Sequence, residues 1–298
     1  MIDPIVLVVG SLHYDIIVES TTLPRKDETA IGLRWYPKFG GKGGNQAVAA
    51  KKAGAVVRML GAVGNDDFGR FLRQNLQQNG VDDRFVATVQ GVGSGMSIAI
   101  MDAAGDYAAT IVSGANLMIS DDALQDPALW DGVGILVMQN EVPDAINLLA
   151  AGQARARGIT TLVNAAPYRP LSPEFCALVD ILVVNAVEAE MMGADPVSGL
   201  DSAANAARTL ANPFPSVIVT AGALGLAAWT NTDGATAIAA QTVKVVSSHG
   251  AGDAFIGTLA TRLAQGAAFG AACQAASTAA ARHVSGVSAN HDNGIFER

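Results

Sequence analysis

Short apolar, β-branched runs alternate along this chain with longer helix-forming ones, and that alternation narrows the folds open to it more than any other feature. Ile5–Val9, 56–61, 134–138, Thr160–Asn164, 181–184 and Ser216–Thr220 have strand character. Between them 45–53, 68–79, 143–157, 202–211 and the late stretch 254–284 have helix character. Such alternation implies βαβ units, hence an α/β fold with a mainly parallel central sheet flanked by helices. Ligands of such sheets bind beyond the carboxyl ends of the strands. Two stretches break the pattern. Residues 15–38 hold strand-like pieces around Pro24, and 96–112 has the form of a hairpin turning at 102–106. Ribbons without helices do not join a parallel core easily. An edge extension of the main sheet is the plain explanation for them.

Two glycine-rich segments bring chemistry to this frame. Ser247-Ser-His-Gly-Ala-Gly-Asp253 follows a strand-like run, 241–246, and precedes an apolar helix-forming run, 254–260. Small residues let a backbone turn sharply and approach a ligand. Amides at a helix start carry partial positive charge and suit phosphate. A carboxylate in the same place can take a proton from a hydroxyl. Anion cradle plus base points to phosphoryl transfer to an alcohol; an ordinary Gly-rich βα turn is the alternative. The second segment is Phe39-Gly-Gly-Lys-Gly-Gly-Asn-Gln46, with four glycines in five positions. Asn45 there opens a helical run that closes at Gly54 as a C-terminal cap.

Composition removes several function classes. At 298 residues, half hydrophobic and 15% charged, the chain is one large domain or a domain with a small appendage. No apolar run reaches the ~18 residues of a membrane span. No basic residue precedes Ile5–Val9, which argues against a signal peptide. Cys176 and Cys273 lack metal or redox spacing, and Cys273 in its Ala-rich surroundings fits packing. A cytoplasmic protein is expected. A net charge of −8 disfavours a nucleic-acid partner but not a small phosphate donor. His13, His249, His283 and His291 show no metal-ligand spacing. The stretch Gly64-Asn-Asp-Asp-Phe-Gly-Arg-Phe71 imitates a P-loop, but Arg70 and Phe71 stand where Lys and a hydroxyl residue are needed. It is better explained as a turn with Asp66 or Asp67 capping the next helix.

Gly-Gly-Lys-Gly-Gly-Asn ahead of a helix, with Gly-Ala-Gly-Asp far downstream, resembles the ribokinase-like (PfkB) family of carbohydrate and nucleoside kinases. The resemblance runs from Val6 to about Gly286, with the motifs in the family's order and at near-family spacing. It implies a single ribokinase-like α/β domain over 1–298 with a small β lid from about 14–38 and 95–113. Lid closure would exclude water, a competing phosphoryl acceptor, and lids of this family often pair between subunits, which implies a homodimer. Asp253 matches the family's general base, and the amides of Gly250, Ala251 and Gly252 would hold charge on the transferring group; a plain helix cap is the alternative for Asp253. Asp15, Gly41, Lys42, Gly43, Gly44, Asn45 and Glu141 match the acceptor-sugar side, with a structural ion pair the alternative for Glu141. His13 stands where ribokinases usually have Asn; it contacts the acceptor or packs inward.

For ATP the resemblance implies Asn185, Thr220, Gly222, Gly225 and Gly252, and for Mg²⁺ held through water, Glu188. Glu188 and Glu190 are otherwise helix-start carboxylates, and 220–225 a hairpin turn. Ser247 stands where the family most often has Asp in a monovalent-cation loop. The remaining K⁺ positions would be His249, Ala281, Val284, Gly286 and Asn290. An ATP-dependent sugar kinase is the leading expectation. A nucleoside kinase using Trp35 and Tyr36 against the base, or a non-catalytic sugar or nucleotide sensor, are the alternatives.

Overall fold

The computed structural model describes residues 4–102 and 107–286. Its strands begin with β1 (Ile5–Val9), β2 (His13–Ser20), β3 (Gly32–Gly40), β4 (Val56–Gly64), β5 (Asp82–Val89), β6 (Met96–Met101) and β7 (Tyr107–Val112). They continue with β8 (Val133–Gln139), β9 (Thr160–Asn164), β10 (Ile181–Asn185), β11 (Ser216–Thr220), β12 (Gly225–Thr230) and β13 (Gly234–Ala239). The helices that matter for the site and the core are α1 (Lys42–Lys52), α2 (Asp67–Gln78), α3 (Asp144–Ala156) and α4 (Ala186–Met191), then α5 (Leu200–Leu210), α6 (Ala251–Ala264) and α7 (Phe269–Val284).

Nine strands form the central sheet in the order β13-β12-β11-β10-β9-β8-β1-β4-β5. From β11 to β5 every pairing is parallel, and β12 and β13 close one edge antiparallel. Buried parallel strands need apolar side chains on both faces. Leu7, Val9, Leu136 and Met138 accordingly enter one core, while Val6, Val8, Ile135 and Val137 enter the other. No helix among the described residues is long and apolar enough to cross a membrane.

The two stretches that break the alternation form a separate four-stranded sheet, β3-β2-β6-β7, rather than an extension of the main one. Each ribbon is antiparallel, and parallel pairing of β2 with β6 joins them. Tyr14 stacks on Phe68 at 4.0 Å, which seats α2 against the base of this sheet.

Three local expectations are corrected. Residues 241–246 form no strand: β13 already fills the sheet edge, and Val245 and Val246 are 60% and 70% exposed. The late helical stretch is two helices, parted at Gly266 with φ 80°, and α7 folds back onto α6. Helix α1 starts at Lys42 rather than Asn45, with Gly41 as its N-cap. Asp66 caps α2 by accepting from Gly69 N–H at 2.7 Å, the role expected for the P-loop mimic.

Candidate active site

The carboxyl ends of the parallel strands set the site. Gly10 leaves β1, Gln139 ends β8, Asn164 ends β9, Asn185 ends β10 and Thr220 ends β11. The register pairs Gln139 with Asn164 and Asn185 with Thr220, so these polar residues stand along one edge. The β1–β2 connection is pinned by Asn116. Its amide accepts from Leu12 N–H and donates to Leu12 C=O, both at 2.9 Å, as a neighbouring strand would.

The glycine loop delivers α1 onto that edge. Gly41 adopts φ 84°, a conformation that costs other residues a Cβ clash. The helix start is then satisfied from outside. Glu141 Oε2 accepts from Lys42 N–H at 2.8 Å and also from the Ser11 hydroxyl, while Ser11 C=O accepts from Gly44 N–H at 2.9 Å. Glu141 therefore serves the N-terminus of α1, and among the described residues it is not half of an ion pair.

Asp253 lies in the first turn of α6 and faces α1. Asn45 Nδ2 donates to its Oδ2 at 3.1 Å and Gln46 Nε2 to its Oδ1 at 3.0 Å. Gln46 also donates to Asn164 Oδ1 at 3.1 Å and accepts from Gln139 Nε2 at 2.7 Å. Asn147 Nδ2 in turn holds Gln139 C=O at 2.7 Å. The carboxylate is thus tethered through Gln46 to the ends of β8 and β9. Burial pushes the Asp253 carboxyl above its ordinary range; Lys42, Gln46 and Asn45 oppose the shift, and Glu141 adds to it. No side chain caps the N-terminus of α6, so first-turn amides are left for a ligand. Ala251 N–H is an exception, donating to Ser248 C=O at 3.3 Å.

His13 and Asp15 share one face of β2 because side chains alternate along a strand. Asp15 is 8% exposed and accepts from Ser97 Oγ at 2.5 Å. Burial raises its carboxyl's affinity for the proton, and the Ser97 bond opposes this. His13 is 3% exposed, and its Nε2 is buried with no partner among the described residues. By the β2–β3 register Lys38 and Tyr36 lie on the Asp15 side and Trp35 on the other. Trp35 therefore does not line the acceptor cleft, which corrects one expectation.

On the other side of the edge, Asn185 and Glu188 form a capping box. Asn185 Oδ1 accepts from Glu188 N–H at 2.8 Å, and Glu188 Oε2 accepts from Asn185 N–H at 2.9 Å. Burial lifts the Glu188 carboxyl above its ordinary range, opposed by the Asn185 bond and by Lys42. Thr220 closes β11, Gly222 follows with φ 56°, and Gly225 opens β12 where a Cβ would strike Ile238 C=O. The 220–225 loop is thus a hairpin turn, and it also borders the site edge.

Residues 4–293 match the pfkB family of carbohydrate kinases. The chain belongs to that family. It is an ATP-dependent sugar kinase. Mouse (Mus musculus) ribokinase is 35% identical over 263 residues, 87% of this chain and 81% of that protein. Salmonella typhi deoxyribokinase is 33% identical over 285 residues, 94% and 92% of the two chains. The structure of Arabidopsis thaliana ribokinase complexed with ribose and ATP matches with TM-score 0.87 and 26% identity, covering 95% of this chain and 93% of its own.

The residues expected to form a monovalent-cation loop are held by hydrogen bonds of their own. Ser247 Oγ accepts from His249 N–H at 3.3 Å. Val284 C=O accepts from Val246 N–H at 2.7 Å and Ser247 N–H at 3.3 Å, and Ala281 C=O from Ser285 N–H at 3.2 Å. Gly286 ends the described chain with its N–H on His283 C=O at 3.2 Å; Asn290 lies outside the described residues. The imidazole of His249 faces the cleft, where burial and Lys38 press its proton affinity down while Asp15 and Asp253 pull it up. The motifs leave out several residues of the site, among them Ser11, Gln46, Ser97, Asn116, Gln139 and Asn164. A polar residue at the buried end of a strand is the one signal that would have flagged Gln139.

Proposed function

We propose that this kinase transfers the γ-phosphate of ATP to a hydroxyl of a ribose-like sugar, with Asp253 as general base. The observation that carries the reading is the double tether of Asp253 to Asn45 and Gln46, which holds a half-buried carboxylate over the strand ends beside the glycine loop. A fixed, desolvated carboxylate with raised proton affinity is suited to accept a hydroxyl proton. The sugar oxygen then bonds to the γ-phosphorus as the bond from phosphorus to the β-bridging oxygen breaks, and ADP departs with that electron pair. Orphan amides in the first turn of α6 stabilise the charge that spreads over the transferring group.

Asp15 and the unpartnered His13 Nε2 receive the sugar hydroxyls, since a buried polar atom without a partner is costly unless a ligand supplies one. The donor side is assigned to Asn185, Thr220 and Gly222. Mg²⁺, when bound, neutralises the triphosphate. Glu188 suits an outer position toward it, because its capping bond occupies Oε2 alone. Tyr36 on the Asp15 face supports the nucleoside-kinase reading as second choice.

The test is ATP-dependent phosphorylation of a panel of pentoses, deoxypentoses, hexoses and nucleosides, with Asp253→Asn alongside. Turnover is expected on ribose or deoxyribose, and kcat in Asp253→Asn is expected to fall on the order of 10²–10⁴-fold. Turnover on nucleosides alone would favour the second reading. Only a few-fold loss in Asp253→Asn would remove Asp253 as base.

A further inference from the structure

His283 packs against the 247–252 turn at the protein surface, where nothing in the proposed reaction uses it. Its Nε2 lies 2.9 Å from His249 C=O. A carbonyl can only accept, so that ring nitrogen carries the proton and donates. The ring also sits directly against Gly250, where an added Cβ would come 2.9 Å from Nε2. Gly250 holds φ 83° as the N-cap of α6, two residues before Gly252 and three before Asp253. One imidazole thus ties the end of α7 to the turn that aims the α6 amides.

Hydrogen bonds in the same region compete for the oxygens that a monovalent cation would need. A hard cation requires several converging free oxygen atoms and gains from a carboxylate among them. Ser247 supplies a hydroxyl where a carboxylate would bring formal charge. The carbonyl of His249 already accepts from His283, that of Val284 from two backbone amides and that of Ala281 from Ser285 N–H, so none of the three is without a competing donor. With two donors on Val284, both lone pairs of that oxygen are engaged. The described donor set does not fit K⁺.

We infer that in this kinase the His283 imidazole replaces a monovalent cation as the brace of the 247–252 turn, so that the enzyme works without K⁺. The inference rests on the kinase reading of that turn. His283 is a positioning residue: it acts through the His249 carbonyl on the α6 amides and touches no reacting atom. Removing it lets the turn drift, and misplacement of a catalytic group by about 1 Å can cost on the order of 10²-fold in rate.

The experiment compares wild type, His283→Ala and His283→Gln in choline, sodium and potassium chloride at equal ionic strength. Melting temperature and the kinetics of sugar phosphorylation are both read. Wild type should show the same melting temperature and the same kcat in all three salts. His283→Ala should lose about 10- to 100-fold in kcat with the sugar KM little changed, and His283→Gln, which keeps an N–H donor, should recover most of that loss. A several-fold K⁺-specific activation of wild type, a K⁺-specific rise in its melting temperature, or full kcat in His283→Ala would overturn the inference. If His283→Ala does not fold, wild type and His283→Gln still decide. The melting arm needs no turnover, so failure to find a phosphorylated sugar would count against the substrate reading and leave this one standing on its own test.

Discussion

Gln46 shows how a residue with no chemistry of its own positions the proposed base, Asp253. It donates from one amide to both Asp253 and Asn164 and accepts from Gln139, at 2.7 to 3.1 Å. Gln46→Leu keeps the bulk and removes every bond. Steady-state kinetics should show kcat lowered by about 10- to 100-fold, with the sugar KM nearly unchanged because Asp15 and His13 remain. An equal rise in KM would instead make Gln46 a substrate contact. The pH dependence follows from Asp253 itself. Burial raises its pKa above the ordinary 3.8, and the base works only when deprotonated. The acid limb of kcat/KM should therefore lie above the range of an ordinary aspartate, and it should vanish in Asp253→Asn. The stability sign is opposite: the folded state binds the proton more tightly, so this group favours folding below the unfolded pKa and loses that contribution as pH rises through the folded one. A kcat/KM that stays flat down to pH 4 would contradict the assignment.

Between elements, the contact that aims the base is the crossing of α1 and α6. Gly257 lies one turn after Asp253, and a Cβ there would meet Ala50 N at 2.5 Å and Ala49 Cβ at 2.6 Å. Thr261, a further turn on, donates to Ala50 C=O at 3.1 Å. Close approach of the two helices keeps Asn45 and Gln46 within reach of Asp253. Gly257→Ala should wedge them apart, costing about 1–3 kcal/mol as other overpacked sites do and lowering kcat through the same displacement. Thermal melting and steady-state kinetics on that variant check both; an unchanged melting temperature would show that the helices yield without cost. Glycine at 257 is plain in the sequence, but the partner that requires it, Ala50, is 207 residues distant in the chain.

For the molecule as a whole, the small sheet presents an apolar face to solvent on the side away from Asp15. Ile16, Val18, Leu33 and Trp35 border a depression of about 480 Å³ there. Trp35 is 64% exposed and Leu33 66%. Exposed apolar surface of this kind marks association sites. We expect two lids to pair, so light scattering on the purified protein should give about twice the 30.4 kDa chain mass. Trp35→Asp should give the monomer mass and a raised sugar KM, since the lid then closes unsupported. A monomeric wild type would end the pairing expectation.

Periodicity and glycine spacing carried the α/β class, the sheet strands β1, β9 and β11 to the residue, the hairpin of β6 and β7, and Asp253 as the candidate base. Those are local properties: a buried strand must be apolar on both faces, and a phosphate-binding turn needs small residues before a helix. Only the tertiary structure decided that 241–246 is no strand, that Glu141 serves the α1 terminus, that Trp35 lies on the face away from Asp15, and that Gln46, Asn116 and His283 bond to distant parts of the chain. Each of those depends on which distant groups satisfy one buried donor or acceptor. Such pairing is set by topology and register, which short-range pattern does not encode.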